Sequence, residues 1–439
     1  MHLLESCRRS SRDVRLLWCS VFIRMGSFGM TNQVLTLYLR NLQIKETKIG
    51  LFMTLTLIGD TILSYYLTWH ADKLGRRFVM IIGSIMMIAS GIIFALCSNF
   101  YVLLAAAILG VISPSGDETG PFKSVEEASI AHLTPSIDQP EIFAFHGLFA
   151  TAGAAFGSLT SGMLVDYLSL QRGWDLNSSY RMIFWVYSAL ALTKTLIMIF
   201  LSSECELSER DEEHERLISE VDGPIEEISE QPSLLKPRFF NLSRKTRHIL
   251  SRLLVVFMLD SLGYGFMPTA WVVYYFKTYF VVSATALGGL FFLTNAIDAF
   301  SSLPSAYLAK KLGPVKAILF TQAPSAFFFA AVAISNNFYV ASALLILYYS
   351  TTTMDVVPRQ FLLTSLIPKN ELTKVMGLVN ISKTYARCIG PLLTGKLAQV
   401  NKMPIGFMLS STSVLAADII LAVNFLHYDS EIKAKVTST

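Results

Sequence analysis

The chain is 439 residues long, 53% hydrophobic and only 15% charged, with a mean hydropathy of +0.50. That balance lies well outside the globular average, and the apolar residues fall in long blocks of about 20 rather than alternating runs of about 10, which excludes a soluble catalytic domain and a β-barrel. The formal charge of +4 sits at segment ends rather than on one face, so it does not point to a nucleic-acid partner and none is expected, and the five cysteines are scattered without metal-site or disulfide spacing.

The amino terminus carries Arg8, Arg9 and Arg12 before the first apolar block, with no short apolar core and small-residue cleavage site, so the first helix reads as the insertion signal. Spans are predicted over 14–39, 48–70, 78–97, 101–125, 143–168 and 179–202, then over 250–276, 283–307, 314–335, 338–364, 376–398 and 404–427. The expected fold is an all-α integral membrane protein with twelve transmembrane helices in two pseudo-symmetric six-helix bundles, 1–202 and 248–439. Residues 203–247 read as a cytoplasmic linker, acidic from Glu204 to Glu230 and then basic. Lys73, Arg76, Arg77, Lys310, Lys311, Lys316, Lys369, Lys374, Lys433 and Lys435 collect on the side of the amino terminus, so both termini are expected in the cytoplasm, with the protein in the plasma membrane or an organelle membrane. The sequon at Asn177 falls on the opposite side, too close to the sixth span to be a good glycosylation acceptor.

Charges inside the spans are the candidate site residues. Asp60 lies mid-bilayer in the second span, roughly 18 Å from its outer end, and Asp298 repeats it in the eighth at an offset of 238 residues. A charge at that depth costs about 3 kcal/mol or more unless paired, protonated or wet, so both read as coupling or cation-binding residues, with hydrogen bonding to neighbouring helices as the alternative. Arg24 in the first span and Asp260 in the seventh are 236 apart and read as a pair. In the fourth span Asp117 and Glu118 precede Pro121, and in the tenth Asp355 precedes Pro358 and Arg359. Proline frees a backbone carbonyl, so each acid is expected beside an irregular turn able to hold a cation or proton. His146 in the fifth span reads as a packing residue or a titrating one. Lys383 and Arg387, one turn apart in the eleventh, either meet cavity acids and an anionic substrate or reach toward the cytoplasm.

The loop between spans two and three, Asp72-Lys73-Leu74-Gly75-Arg76-Arg77, closely resembles the signature G-x-x-x-D-(R/K)-x-G-(R/K)-(R/K) of the major facilitator superfamily, with Thr68 in place of the first glycine. A worn copy, Ala306 to Pro314, follows 238 residues later. The run Gly153-x-x-x-Gly157-Ser158-x-x-Ser161-Gly162 is similar to the family's fifth-span motif, and Ala386-x-x-x-Gly390-Pro391-x-x-Thr394-Gly395 repeats it. The runs around Glu118 and Asp355 resemble a poorly characterised fungal and microbial branch.

The resemblance spans essentially the whole chain and implies a secondary transporter that moves a small solute by alternating access, proton-coupled, rather than an enzyme. No H-E-x-x-H or G-x-S-x-G run stands in a suitable place. The partners implied are a lipid bilayer, a small-molecule or ion substrate and protons, with no cofactor, no metal site and a monomeric state. Acids outnumber bases, which tilts the substrate toward a cation, while Arg359, Lys383 and Arg387 leave an anion open, and these three with Asp117 are the possible substrate contacts.

The family's placement of spans one, four, seven and ten around the cavity implies that Glu118 faces Asp355. Asp72, Gly75, Arg76 and Arg77 are expected to form a cytoplasmic gate with Glu126 or Glu127, closed when the cavity faces outward, and small residues of the fifth span are expected where the halves rock. The arginine common in the fourth span of proton-coupled relatives is replaced by Ala106, which assigns its task to Arg24. A non-transporting sensor and a facilitative uniporter are the alternatives.

Overall fold

The computed structural model describes residues 10–110, 112, 121–135, 138–206, 243–301 and 303–429. In the first half, α1 (Arg12–Asn41) starts at Ser11, whose hydroxyl accepts from the Val14 amide. It is followed by α2 (Glu46–Leu74), α3 (Arg76–Leu96), α4 (Phe100–Leu109), α5 (Pro121–Leu133), α6 (Gln139–Asp166) and α7 (Leu176–Ile199). The second half holds α8 (Arg244–Phe266), α9 (Thr269–Phe280), α10 (Ala284–Ser301), α11 (Leu303–Leu312), α12 (Pro314–Ile334), α13 (Phe338–Thr352), α14 (Val356–Leu366), α15 (Lys369–Gln399) and α16 (Pro404–Phe425).

The repeat is visible in how elements stop and start. Gly75 (φ 94°) ends α2 and Gly313 (φ 92°) precedes α12, conformations that a residue with a Cβ rarely adopts. Asn99 and Asn337 cap α4 and α13 through their side-chain oxygens, satisfying amides that the helix leaves unpaired.

Among the described residues, eight helical stretches are long and apolar enough to cross a membrane. The other four spans of the twelve-helix fold fail that test for two reasons. α1, α10 and α15 are long enough but carry polar residues, Asn295 and Asp298 among them in α10, while α4, α5 and α11 are short pieces next to undescribed positions. The seventh span breaks at Pro268, which lacks the amide that a continuous helix would use. The tenth breaks at a 3₁₀ turn, Thr353–Asp355, just ahead of Pro358, where an irregular turn was expected.

Packing repeats as well. α1 packs on α6 and α7, and α8 on α15 and α16, while α3 packs on α7 and α12 on α16. The halves meet along two seams, α6 against α10 and α2 against α15. A Cβ on Gly157 would lie 2.0 Å from the Gly26 carbonyl oxygen, and one on Gly390 2.0 Å from the Gly265 carbonyl carbon, so these glycines close seams inside each half rather than between halves. Of the fifth-span motif, Gly162 is the glycine that reaches across, against Ala284 of α10.

Taking the end where α1 begins as proximal and its other end as distal, one apolar core fuses both halves distally, around Tyr38, Phe94, Phe184, Trp271 and Phe276. Proximally the core divides, with Leu17, Trp18 and Met80 in one half and Leu253, Leu362 and Phe425 in the other. The halves are therefore closed on each other distally and parted proximally.

Candidate transport cavity and buried charge clusters

Between the parted halves lies a cavity of about 430 Å³. α1, α5 and α6 line one wall, with Phe28, Asn32, Lys123, Glu127, Phe143 and His146, and α8, α10 and α13 the other, with Tyr264, Phe291, Asn295, Asp298 and Tyr349. Its distal end is tied shut. Tyr274 donates its hydroxyl to Glu46 at 3.1 Å, and Arg40 pairs with the same carboxylate. Asp166 at the end of α6 accepts from the Ala284 and Thr285 amides at 3.1 and 2.7 Å, capping α10 across the seam. Thr54 donates to the Cys388 carbonyl at 2.8 Å.

Two buried charge clusters flank the cavity, one in each half. In the first, Glu126 is fully buried and pairs with Arg24 at 2.6 Å and Lys194 at 3.1 Å, takes a hydrogen bond from Ser20 at 3.1 Å, and lies 4.0 Å from His146 Nε2. In the second, Arg359 pairs with Asp260 at 2.6 Å and with Asp355, while the Gln322 amide donates to both acids at 3.1 and 2.8 Å. The expected Arg24–Asp260 pair is therefore not formed, because each charge is buried with a partner in its own half, and separating such a pair leaves an uncompensated charge.

The clusters use equivalent helices with signs reversed. Arg24, Glu126 and Lys194 stand on spans one, four and six, and Asp260, Arg359 and Asp418 on seven, ten and twelve.

Of the remaining candidates, Asp298 lines the cavity, whereas Asp60 is buried on α2 with a long contact of 3.4 Å from the Ser64 hydroxyl. Asp117 and Glu118 lie outside the described residues, as does the Asp72 side chain. Lys383 is half-buried beside the second cluster, and the Arg387 guanidinium lies 5.7 Å over the Tyr264 ring. The expected gate is arranged differently. The Arg76 and Arg77 amides both donate to Glu206, at 2.7 and 3.2 Å, and the Arg76 and Arg77 side chains reach the Ala128 and Ile199 carbonyls. Glu126 is turned inward to Arg24, and Glu127 faces the cavity. A parted proximal end is the state in which such a gate stands open.

Sequence reasoning passed over Lys194, Gln322 and Asp418, although an ionisable or amide side chain inside an apolar span was a sufficient signal for each. Asp166 and Glu206 carry no such signal, because acids near helix ends are common. The described cysteines, Cys19, Cys97, Cys205 and Cys388, are free.

A family model described as Major Facilitator Superfamily matches residues 17–391 and 253–438. An uncharacterized membrane protein of Saccharomyces cerevisiae is 46% identical over 436 residues, covering 97% of each chain. The quinolone resistance protein NorA of Staphylococcus aureus is 24% identical over 191 residues, 44% of this chain and 45% of its own. Among solved structures, a D-xylose-proton symporter superposes with a TM-score of 0.69 at 14% identity, over 93% of this chain and 97% of its own. A bacterial homologue of the human lysosomal transporter Spinster, in an inward-facing and unoccupied conformation, gives 0.69 at 12% identity, over 96% and 97%. Both share the fold.

Proposed function

The chain belongs to the major facilitator superfamily, a family of membrane transporters rather than enzymes, and on that premise we propose that it moves a small organic cation across its membrane by proton-coupled alternating access. The supporting observation is the cavity between the halves, where Asp298 and Glu127 outnumber Lys123 and aromatic rings stand on both walls. A cation over an aromatic face gains about 0.5–2 kcal/mol, and a carboxylate in a partly dry cavity adds charge attraction. Arg359 is engaged by Asp260 and Asp355, which removes it from the residues available to an anion. Names among the relatives, a quinolone resistance protein and a proton symporter, agree with an organic solute and with protons.

In this reading residues 1–202 and 248–439 rock about the cavity, 203–247 connect them, both termini are cytoplasmic, and the parted proximal end is the inward-open state. Asp298 binds the cation, and Asp60 stands at the equivalent depth in the first half. Purified protein in liposomes under an inward-acid pH gradient, given a quaternary ammonium dye, is expected to expel protons as dye enters. Asp298→Asn is expected to cut that flux at least tenfold. Wild-type flux in that variant, or dye movement indifferent to the pH gradient, overturns the assignment.

A further inference from the structure

Asp418 sits in the middle of α16 with 4% of its surface exposed, and its Oδ2 has no hydrogen-bond partner among the described residues. The charged groups within electrostatic reach of it are Arg359, Asp260 and Asp355. Lys383 approaches Asp260 and Asp355 from α15, and α12 contributes the neutral Gln322. The guanidinium of Arg359 is already shared by two carboxylates. Asp418 is therefore left beside two like charges that already hold the guanidinium, with Lys383 and, beyond it, Arg387 as the other cations of the cluster.

Other atoms nearby lack donors too. Gln322 spends its amide hydrogens on Asp260 and Asp355, leaving its buried Oε1 without a partner, as is the Ser411 hydroxyl. Beside them a void of about 10 Å³, lined by Gln322, Ser325, Tyr348, Thr352, Ser410 and Ser411, has room for one water.

We propose that Asp418 binds a proton, and that this is the coupling proton of the transport cycle. The second clause rests on the proton-coupled reading above. A proton on Asp418 relieves its repulsion by Asp260 and Asp355 and turns an acceptor into a donor. A metal cation is a poorer occupant, since the guanidinium at the centre of the cluster repels it while tolerating a neutralised carboxyl. Once the proton leaves, Asp418 competes with Asp260 for Arg359. Arg359 stands just after the 3₁₀ turn of the tenth span, so that competition bears on how α14 holds α8.

The test is infrared difference spectroscopy of the full chain in nanodiscs, stepped from mildly acid to mildly alkaline buffer. A band from a protonated carboxyl is expected to vanish on the step in wild type and in Asp298→Asn, to be absent in Asp418→Asn, and to return at a shifted frequency in Asp418→Glu. A band unchanged in Asp418→Asn overturns the proposal, as does an unshifted band in Asp418→Glu should the asparagine variant not fold. Loss of the band on adding sodium chloride at constant acid pH also overturns it, in favour of a metal cation. Absence of proton-driven dye flux, with the Asp418 band intact, would instead sink the coupling reading and leave the proton site standing.

Discussion

Glu126 serves two cations, Arg24 and Lys194, and this asymmetry decides which member of its cluster is costliest to remove. Arg24→Met leaves the acid with Lys194, whereas Glu126→Gln leaves two buried cations without the carboxylate they share. Glu126→Gln is therefore expected to be the more damaging, by up to about 3–5 kcal/mol, and adding Arg24→Met to it should restore part of the loss. Thermal unfolding of the purified variants in detergent checks the order, and equal losses would count against the shared-acid arrangement. Outside the membrane, Glu371 takes hydrogen bonds from the Thr246 side chain and then from the Ser243 amide and hydroxyl, which hold its carboxyl below the usual glutamate range and tie the start of α8 to that of α15. Since the folded state favours the charged form, this tie is complete above the ordinary glutamate value and is lost as pH falls through the depressed one. The stability gap between wild type and Glu371→Gln should be present at neutral pH and close in acid. A gap constant with pH would contradict it. The charges themselves were readable in the sequence because a buried charge stands out in an apolar span. Their partners were not. Glu126 is 102 residues from Arg24 and Arg359 is 99 from Asp260, and the repeat register pointed instead to a partner across the halves.

Spans show in a sequence because about 20 apolar residues must cover the hydrocarbon, and the twelve blocks emerged on that ground alone. Breaks are harder, since the 3₁₀ turn ahead of Pro358 followed from a proline rule while the Pro268 break passed unread in a continuous apolar block. The glycine motif shows the same limit, because spacing marks a close approach without naming the helix approached. Gly157 seats α6 on α1 within one half, and Gly162 seats it on α10 of the other. Substitution by valine should separate the two roles. Gly157→Val drives a side chain into the Gly26 backbone and is expected to lower yield and unfolding temperature. Gly162→Val meets the Ala284 carbonyl across the seam, so it should leave each half folded while weakening distal closure. Unfolding temperature and limited proteolysis of both variants test this, and equal loss of folded protein in the two would remove the distinction.

At the scale of the whole molecule, the present state is held by distal ties against a parted proximal end, and Asp166 is the tie whose removal is easiest to read. It caps α10 across the seam through two amides, while α6, on which it stands, is anchored within the first half by its packing on α1. Asp166→Ala should therefore leave both bundles intact and change only the balance between conformations. A hydrogen bond to a charged group contributes about 1.5–3 kcal/mol net, and water at an opened seam recovers part of it, so a shift of about 1–2 kcal/mol is expected. That corresponds to roughly a fivefold to thirtyfold change in the ratio of distally closed to distally open molecules. A cysteine at the cavity residue Asn295, in a background with Cys7, Cys19, Cys97, Cys205 and Cys388 replaced, reports the ratio through its labelling by a membrane-impermeant thiol reagent added from either side. In Asp166→Ala, labelling from the distal side should rise and labelling from the proximal side fall by comparable factors. Glu46→Gln, which removes the carboxylate shared by Arg40 and Tyr274, should move both rates in the same directions. The proximal clusters at Glu126 and Arg359 lie on the far side of the cavity from these ties, so their variants are not expected to mimic the pattern. If Asp166→Ala changes neither rate, the distal cap is packing alone and the closed end is held by the fused aromatic core.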